Sequence, residues 1–235
     1  MNQLPPTHAL ADALAQGVAA LGLDVPPAQQ AQLLAYLDLL GKWNKVYNLT
    51  ALRDPADMLT HHLLDSLAVL PPLRRHLAAH PPAEGRAPRL LDVGSGGGLP
   101  GVVMAITHPN MTVHCVDTVA KKAAFVQQVA ATLGLPQLRG LHARVESLRE
   151  PYDLVCSRAF ASLADFTAWS RGALAGQGVW MAMKGKRPDD EITALPPDVQ
   201  VFHVEPLTVP GLAAERCLVW LRRAPAELTA DLPHD

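Results

Sequence analysis

The chain has 235 residues, 49% of them hydrophobic and 18% charged, with a formal net charge of −2. That profile belongs to a globular chain with ample apolar mass for a core, and no run approaches the roughly 18 uninterrupted apolar residues of a membrane span. The slightly acidic balance counts against a chain that is basic throughout, as dedicated nucleic-acid binders tend to be, but leaves room for a local basic face.

The opening Met1-Asn2-Gln3-Leu4-Pro5-Pro6 lacks the basic start and apolar stretch of a secretion signal. Cys115, Cys156 and Cys217 each sit in an apolar, strand-like run with no CxxC, and are expected as buried reduced thiols. A soluble cytoplasmic protein is the expectation. Up to about residue 80 the texture is helical. Leu33, Tyr36, Leu37, Leu40, Trp43 and Tyr47 recur at spacings of three and four, which makes one apolar face, and Pro26-Pro27 suits the first turn of that helix. A second helix is predicted over Thr60 to Leu70, with Pro71-Pro72 stopping it. Residues 81–88, rich in Pro and Gly, read as a linker.

After the linker, short apolar runs alternate with helical ones. Strands are predicted at Arg89–Val93, Thr112–Asp117, near Leu141, at Asp153–Cys156 and at Gly178–Met183, with helices at Pro100–His108, Val119–Leu133 and Leu163–Ala173. This alternation implies an α/β fold, a mostly parallel sheet with helices on both faces, preceded by an N-terminal helical extension. Two late runs, Val199–Val204 and Cys217–Leu221, bring the sheet to seven strands as an antiparallel pair at one edge, and 224–235 reads as a frayed tail. The expected units are a helical region over 1–80, the linker, a main domain over 89–223 and the tail.

The loop after the first strand, Asp92-Val93-Gly94-Ser95-Gly96-Gly97-Gly98, can hold a nucleotide-like cofactor at the C-terminal end of the sheet. Two registers overlap. Gly96-Gly97-Gly98-Leu99-Pro100-Gly101 formally fits the dinucleotide fingerprint, which would imply a nicotinamide or flavin cofactor, but it begins late. The register at the strand end places Asp92 two residues before Gly94. An acid there is awkward beside a pyrophosphate and suits S-adenosylmethionine, whose methionine moiety bears an ammonium and a sulfonium. Asp117, ending the second strand, can bind ribose hydroxyls under either reading. Val145 and Glu146, after the third strand, can flank an adenine. Arg158 ends a strand beside the glycine loop, where an idle charge is not expected, and a role in binding or catalysis is assigned to it.

Basic candidates for a nucleic-acid face are Lys42, Lys45 and Arg53 in the helical region, and Lys184, Lys186 and Arg187 after the fifth strand, expected to face the same cleft. His61-His62 and the His76/His80 pair lack the setting of a zinc motif, so no metal is expected. His62 with Asp65-Ser66 lacks a nucleophile elbow, so no hydrolytic triad is expected.

Asn48-Leu49-Thr50, His62-x-x-Asp65-Ser66, Asp92-x-Gly94-x-Gly96-x-Gly98-Leu99-Pro100-Gly101, Arg144-Val145-Glu146, Ser157-Arg158-Ala159-Phe160 and Lys184-Gly185 stand in that order. Together they resemble the RsmG, or GidB, family of bacterial small-subunit ribosomal RNA methyltransferases, from about Tyr36 to Leu221. The resemblance implies a Rossmann-like class I methyltransferase fold and transfer of methyl from S-adenosylmethionine to N7 of one guanine in 16S ribosomal RNA. The partner is then that RNA or the small ribosomal subunit, with no membrane, no metal and a monomeric enzyme. By family pattern Gly94, Leu99, Val145, Glu146 and Arg158 match cofactor-contacting positions. His61 departs from a common Arg, which weakens a phosphate contact, and Gly97 from an occasional Pro, which glycine tolerates. Guanine N7 has a free lone pair, so no general base is assigned. Two other classes remain open: a methyltransferase of this fold acting on another RNA, a protein or a small molecule, and a non-catalytic RNA-binding factor that keeps the fold.

Overall fold

The computed structural model describes residues 7–82 and 85–225. The readings of residues 1–6, of 83–84 within the linker and of 226–235 in the tail lie outside the described residues.

Helix α1 spans Thr7–Ala20 and α2 spans Pro27–Tyr47. Pro27 stands in the first turn of α2, where a missing N–H costs nothing. The helix ends at Asn48, whose backbone turns into the left-handed region (φ 50°, ψ 54°). The apolar stripe is buried from Leu33 to Leu40, while Tyr47 at its end stands exposed. The single helix expected over Thr60–Leu70 is instead divided. Helix α3 (Pro55–Met58) runs into a wide π-helical turn over Leu59–Leu64, then α4 (Asp65–Leu67), then α5 (Leu70–Ala79). Pro71 and Pro72 stop nothing: they occupy the first turn of α5, whose N–H groups have no intrahelical acceptor to lose.

The remaining elements are β1 (Arg89–Val93), α6 (Gly101–Thr107), β2 (Thr112–Asp117), α7 (Ala120–Leu133), β3 (Leu138–His142), β4 (Tyr152–Arg158), α8 (Leu163–Ser170), β5 (Leu174–Lys184), α9 (Asp189–Thr193), β6 (Val199–Pro206) and β7 (Cys217–Arg223). Seven strands form one sheet in the order β3-β2-β1-β4-β5-β7-β6. The first five pair in parallel. The late pair is antiparallel as expected, with β7 inserted between β5 and β6 rather than outside them. The chain winds outward from β1 through β2 to β3, then returns to start again at β4. The ends of β1 and β4 therefore adjoin, Val93 opposite Ser157, and a crevice opens above them.

Alternate strand residues serve opposite faces of the sheet. Leu90, Leu154, Cys156 and Met181 join α1, α2, α6 and α7 in one core. Leu91, Val93, Val155 and Trp180 join α8 in the other. All three cysteines are buried and free.

One polar bond ties the helical layer to the glycine loop: the buried Tyr36 hydroxyl donates to the Gly97 carbonyl at 2.6 Å. Burial pushes the Tyr36 phenol well above its usual range, so it remains a donor at any physiological pH. Leu40, one turn on, packs directly against Gly97. Tyr36→Phe keeps the ring and leaves that carbonyl unpaired, at a cost of about 1–3 kcal/mol. A lower urea midpoint with an unchanged m-value is the expected outcome.

Candidate active site

The loop from β1 to α6 is bent by glycines. Gly94 (φ +66°) and Gly96 (φ +58°) both lie in the left-handed region that L side chains rarely adopt. At Gly94 space also forbids a side chain, since an added Cβ would fall 2.4 Å from the Phe160 ring. The loop is anchored from beneath by Gly94 N–H donating to the Val116 carbonyl at 2.9 Å.

Asp92 corrects a sequence expectation. Its side chain does not face a cofactor; it is fully buried under the loop, and its Oδ2 accepts the Gly101 N–H at 2.8 Å, fixing the start of α6. Its other oxygen is buried without a partner. Desolvation holds this carboxyl up at about 7, against an ordinary value of 3.8. An acid just ahead of a glycine loop serves an orphan helix N–H as readily as a cationic ligand, so its position alone does not separate the two.

Two cavities open over the loop and meet at Gly94 and Ala159, which line both. The first, of about 400 Å³, is bounded by Asp117, Val119, Val145, Glu146, Phe160 and Trp169. The Asp117 carboxylate is pinned by backbone donors, with Val119 N–H at 2.9 Å and Gly96 N–H at 3.1 Å. Lys122 stands 3.5 Å away. Each Asp117 oxygen keeps a lone pair for a hydroxyl. Glu146 lies at the rim. Its own backbone N–H and Arg144, 2.9 Å away, hold its carboxyl below the usual range, so it is an anionic acceptor at neutral pH. Phe160 and Trp169 meet edge to face, with ring centroids 5.8 Å apart.

The second cavity, of about 540 Å³, is bounded by the glycine loop and by segments distant in sequence: Thr50, His61, His62, Asp65, Arg158 and Arg216. The buried Asp65 carboxylate joins them. Arg158 Nη1 donates to one oxygen at 3.0 Å and Arg216 Nε to the other at 2.8 Å. Arg158 also donates to the His61 carbonyl at 2.8 Å. One carboxylate thus serves two guanidiniums, and the cluster keeps a net positive charge facing the cavity. His62 shares a 2.8 Å hydrogen bond with Thr50 Oγ1. Burial and the nearby Arg158 charge push its ring down to about 4, so it is neutral at physiological pH. Behind Thr50 the buried Asn44 side chain accepts Thr50 N–H at 2.9 Å and donates to the Leu52 carbonyl at 2.8 Å. Ala159, at the junction of the cavities, is held at φ +50°, a strained setting for a residue with a Cβ.

The sequence-predicted residues fall into three places. Gly94, Asp117, Val145 and Glu146 line the smaller cavity, while Gly94, Leu99, Arg158 and Lys184 line the larger. Lys184 carries its own counter-ion, Glu191, at 2.8 Å. Lys186 and Arg187 line an adjoining cavity of about 390 Å³, which shares Gly185 and Arg216 with the larger one. Arg53 lines none of these; it is exposed and donates to Asn48 Oδ1 at 3.1 Å. Arg216, Phe160 and Trp169 carry no role in the sequence reading. Arg216 stands alone between β6 and β7, with nothing local to mark it. Phe160 belongs to the Ser157-Arg158-Ala159-Phe160 motif, but its packing against Gly94 is a tertiary contact that no local pattern signals.

The GidB family model, described as rRNA small subunit methyltransferase G, matches residues 29–219. A protein of Acidovorax sp. (strain JS42) called Ribosomal RNA small subunit methyltransferase G is 69% identical over 212 residues, covering 89% of this chain and 94% of the relative. Its namesake from Polaromonas sp. (strain JS666 / ATCC BAA-500) is 64% identical over 209 residues, covering 89% and 92%. Among solved structures, a MtNAS mutant in complex with S-adenosylmethionine matches with a TM-score of 0.53 and 15% identity, covering 94% of this chain and 93% of that one. That likeness is one of fold.

The Asp92 carboxyl generates a pH prediction. Its folded-state value lies above its ordinary value, so its contribution to stability is complete below about pH 4 and is lost as pH rises through about 7. Asp92→Asn keeps an oxygen for Gly101 N–H and cannot ionise. The melting temperature of the variant relative to the parent is expected to climb between about pH 5 and about pH 8. A difference that stays flat across this range contradicts the assigned burial.

Proposed function

The chain belongs to the GidB family of rRNA small subunit methyltransferases, and on that footing we propose that it methylates N7 of one guanine in 16S ribosomal RNA, with S-adenosylmethionine as donor. The observation that carries this reading is the pair of cavities meeting over the glycine loop, one with the acceptors a nucleoside needs and one lined by cations.

The residues fit such a donor. At Gly96 the Cβ direction is open, with no atom within 4 Å, so the loop backbone is bare to a ligand. Asp117 would accept from ribose hydroxyls, Val145 and Glu146 would read an adenine edge, and Gly94, Leu99 and Arg158 would bound the methionine end. When bound, S-adenosylmethionine supplies an electrophilic methyl group on a sulfonium. The chain's own task is then to place a guanine in line with it and to exclude water. A base reaching this crevice must leave its stack. Guanine N7 carries its lone pair at neutral pH, and the walls suit that: a ring held down to about 4 makes His62 too weak a base to draw off a proton, and Asp65 is committed to two arginines. Lys184, Lys186, Arg187 and Arg53 are proposed to meet the RNA backbone. The helical layer within residues 7–80 would wall the acceptor side, and 89–223 would hold the donor.

The test compares 16S RNA from strains with and without this gene by mapping 7-methylguanosine. Loss at one guanine in the deletion strain is expected, and an unchanged map rejects the proposal. Arg158→Ala is expected to lower methyl transfer roughly 100-fold or more with the sheet intact by circular dichroism; normal turnover rejects its role. Gly94→Val is expected to abolish calorimetric binding of S-adenosylmethionine. The side chain would clash with Phe160, which borders the smaller cavity, at a backbone position of φ +66° that L side chains rarely adopt.

A further inference from the structure

Five large apolar side chains stand well out of the surface among the described residues. Four of them gather beside the two cavities: Val46 at 69% exposure, Val119 at 44%, Tyr47 at 41% and Trp169 at 40%. Val119 and Trp169 border the smaller cavity. Val46 and Tyr47 end α2 just before Leu49 and Thr50, which border the larger one. The two sides meet where the Lys121 ammonium lies 5.2 Å from the Tyr47 ring centroid. Lys121 in turn adjoins Lys122, which borders the smaller cavity. From the inner side Trp43 steadies the Tyr47 ring, with centroids 5.1 Å apart.

Such a cluster on a surface calls for a partner. Charge identifies its kind. Among the described residues the lysines that pair with a carboxylate are Lys122 and Lys184, so Lys121, beside the Tyr47 ring, and Lys45, in the same last turn of α2 as Tyr47, keep unpaired positive charge. Aromatic faces set among free cations are the chemistry of single-stranded nucleic acid, whose bases stack and whose phosphates are neutralised. We propose that this rim, centred on Tyr47 and Lys121, is a docking platform for the RNA strand next to the methylated nucleotide. A base displaces the Lys121 ammonium from the Tyr47 ring, and Lys121 and Lys45 turn to the flanking phosphates. The proposal rests on the RNA substrate argued above and adds where, outside the crevice, the strand is gripped.

The test uses the full chain, a 16S ribosomal RNA transcript and intact small subunits. Tyr47→Ala is expected to weaken binding to the transcript by between about fivefold and about 100-fold, while Tyr47→Phe, which keeps the stacking face, binds as the parent does. A Lys45→Glu, Lys121→Glu double variant is expected to flatten the slope of log affinity against log salt by about 0.7 for each phosphate that is no longer neutralised. Calorimetric affinity for S-adenosylmethionine should not change in any of these. Transcript binding within twofold of the parent and an unaltered salt slope would overturn the proposal. So would a loss seen with small subunits but not with bare transcript, which would mark the rim as a protein-binding surface. Failure of the parent chain to bind RNA at all would instead remove the functional reading beneath it, so the two failures are distinguishable.

Discussion

The larger cavity exists because one buried carboxylate accepts from two arginines. Asp65 comes from the helical layer, Arg158 from the end of β4 and Arg216 from the approach to β7. Removing one partner from a buried charge pair typically costs roughly 3–5 kcal/mol, because the remaining charge is stranded away from water. The three segments therefore hold one another in place, and the acceptor wall is fixed before any ligand arrives. Two guanidiniums against one carboxylate also leave a positive remainder in a chain whose net charge is −2. Composition averages that remainder away; geometry concentrates it.

How much of this was legible depends on how far apart the interacting residues lie. Strands buried on both faces read as short apolar runs, and their alternation with helices gave the layered α/β plan and even the late antiparallel pair. The glycine loop was legible because backbone curvature demands one residue type. The Asp65 cluster was not, since its arginines lie 93 and 151 residues away and nothing near Arg216 singles it out. Where local chemistry permits two uses, sequence alone chose wrongly. A proline pair can close one helix or open the next, and Pro71-Pro72 opens α5. An acid before a glycine loop can face a ligand or a helix N–H, and Asp92 does the latter.

The irregular backbone of the chain is concentrated around this crevice. The π-helical turn carries His61 and His62 into the cavity wall, and wide turns of this kind recur at functional sites. Ala159 and Asn48, the non-glycine residues at positive φ among those described, lie respectively between the two cavities and just before the Leu49-Thr50 wall. Local preference is overruled at these positions because the surrounding packing dictates them.

Helix α2 joins both ends of this chemistry. Its middle grips the glycine loop through Tyr36 and Leu40, and its last turn presents Tyr47 to the surface. The helix runs unbroken from Pro27 to Tyr47, so no hinge separates the two contacts. Were occupancy at one end to alter affinity at the other, thermodynamic linkage would make that change equal in both directions. Any preferred order of donor and RNA binding in this enzyme would follow from the rigidity of a single rod.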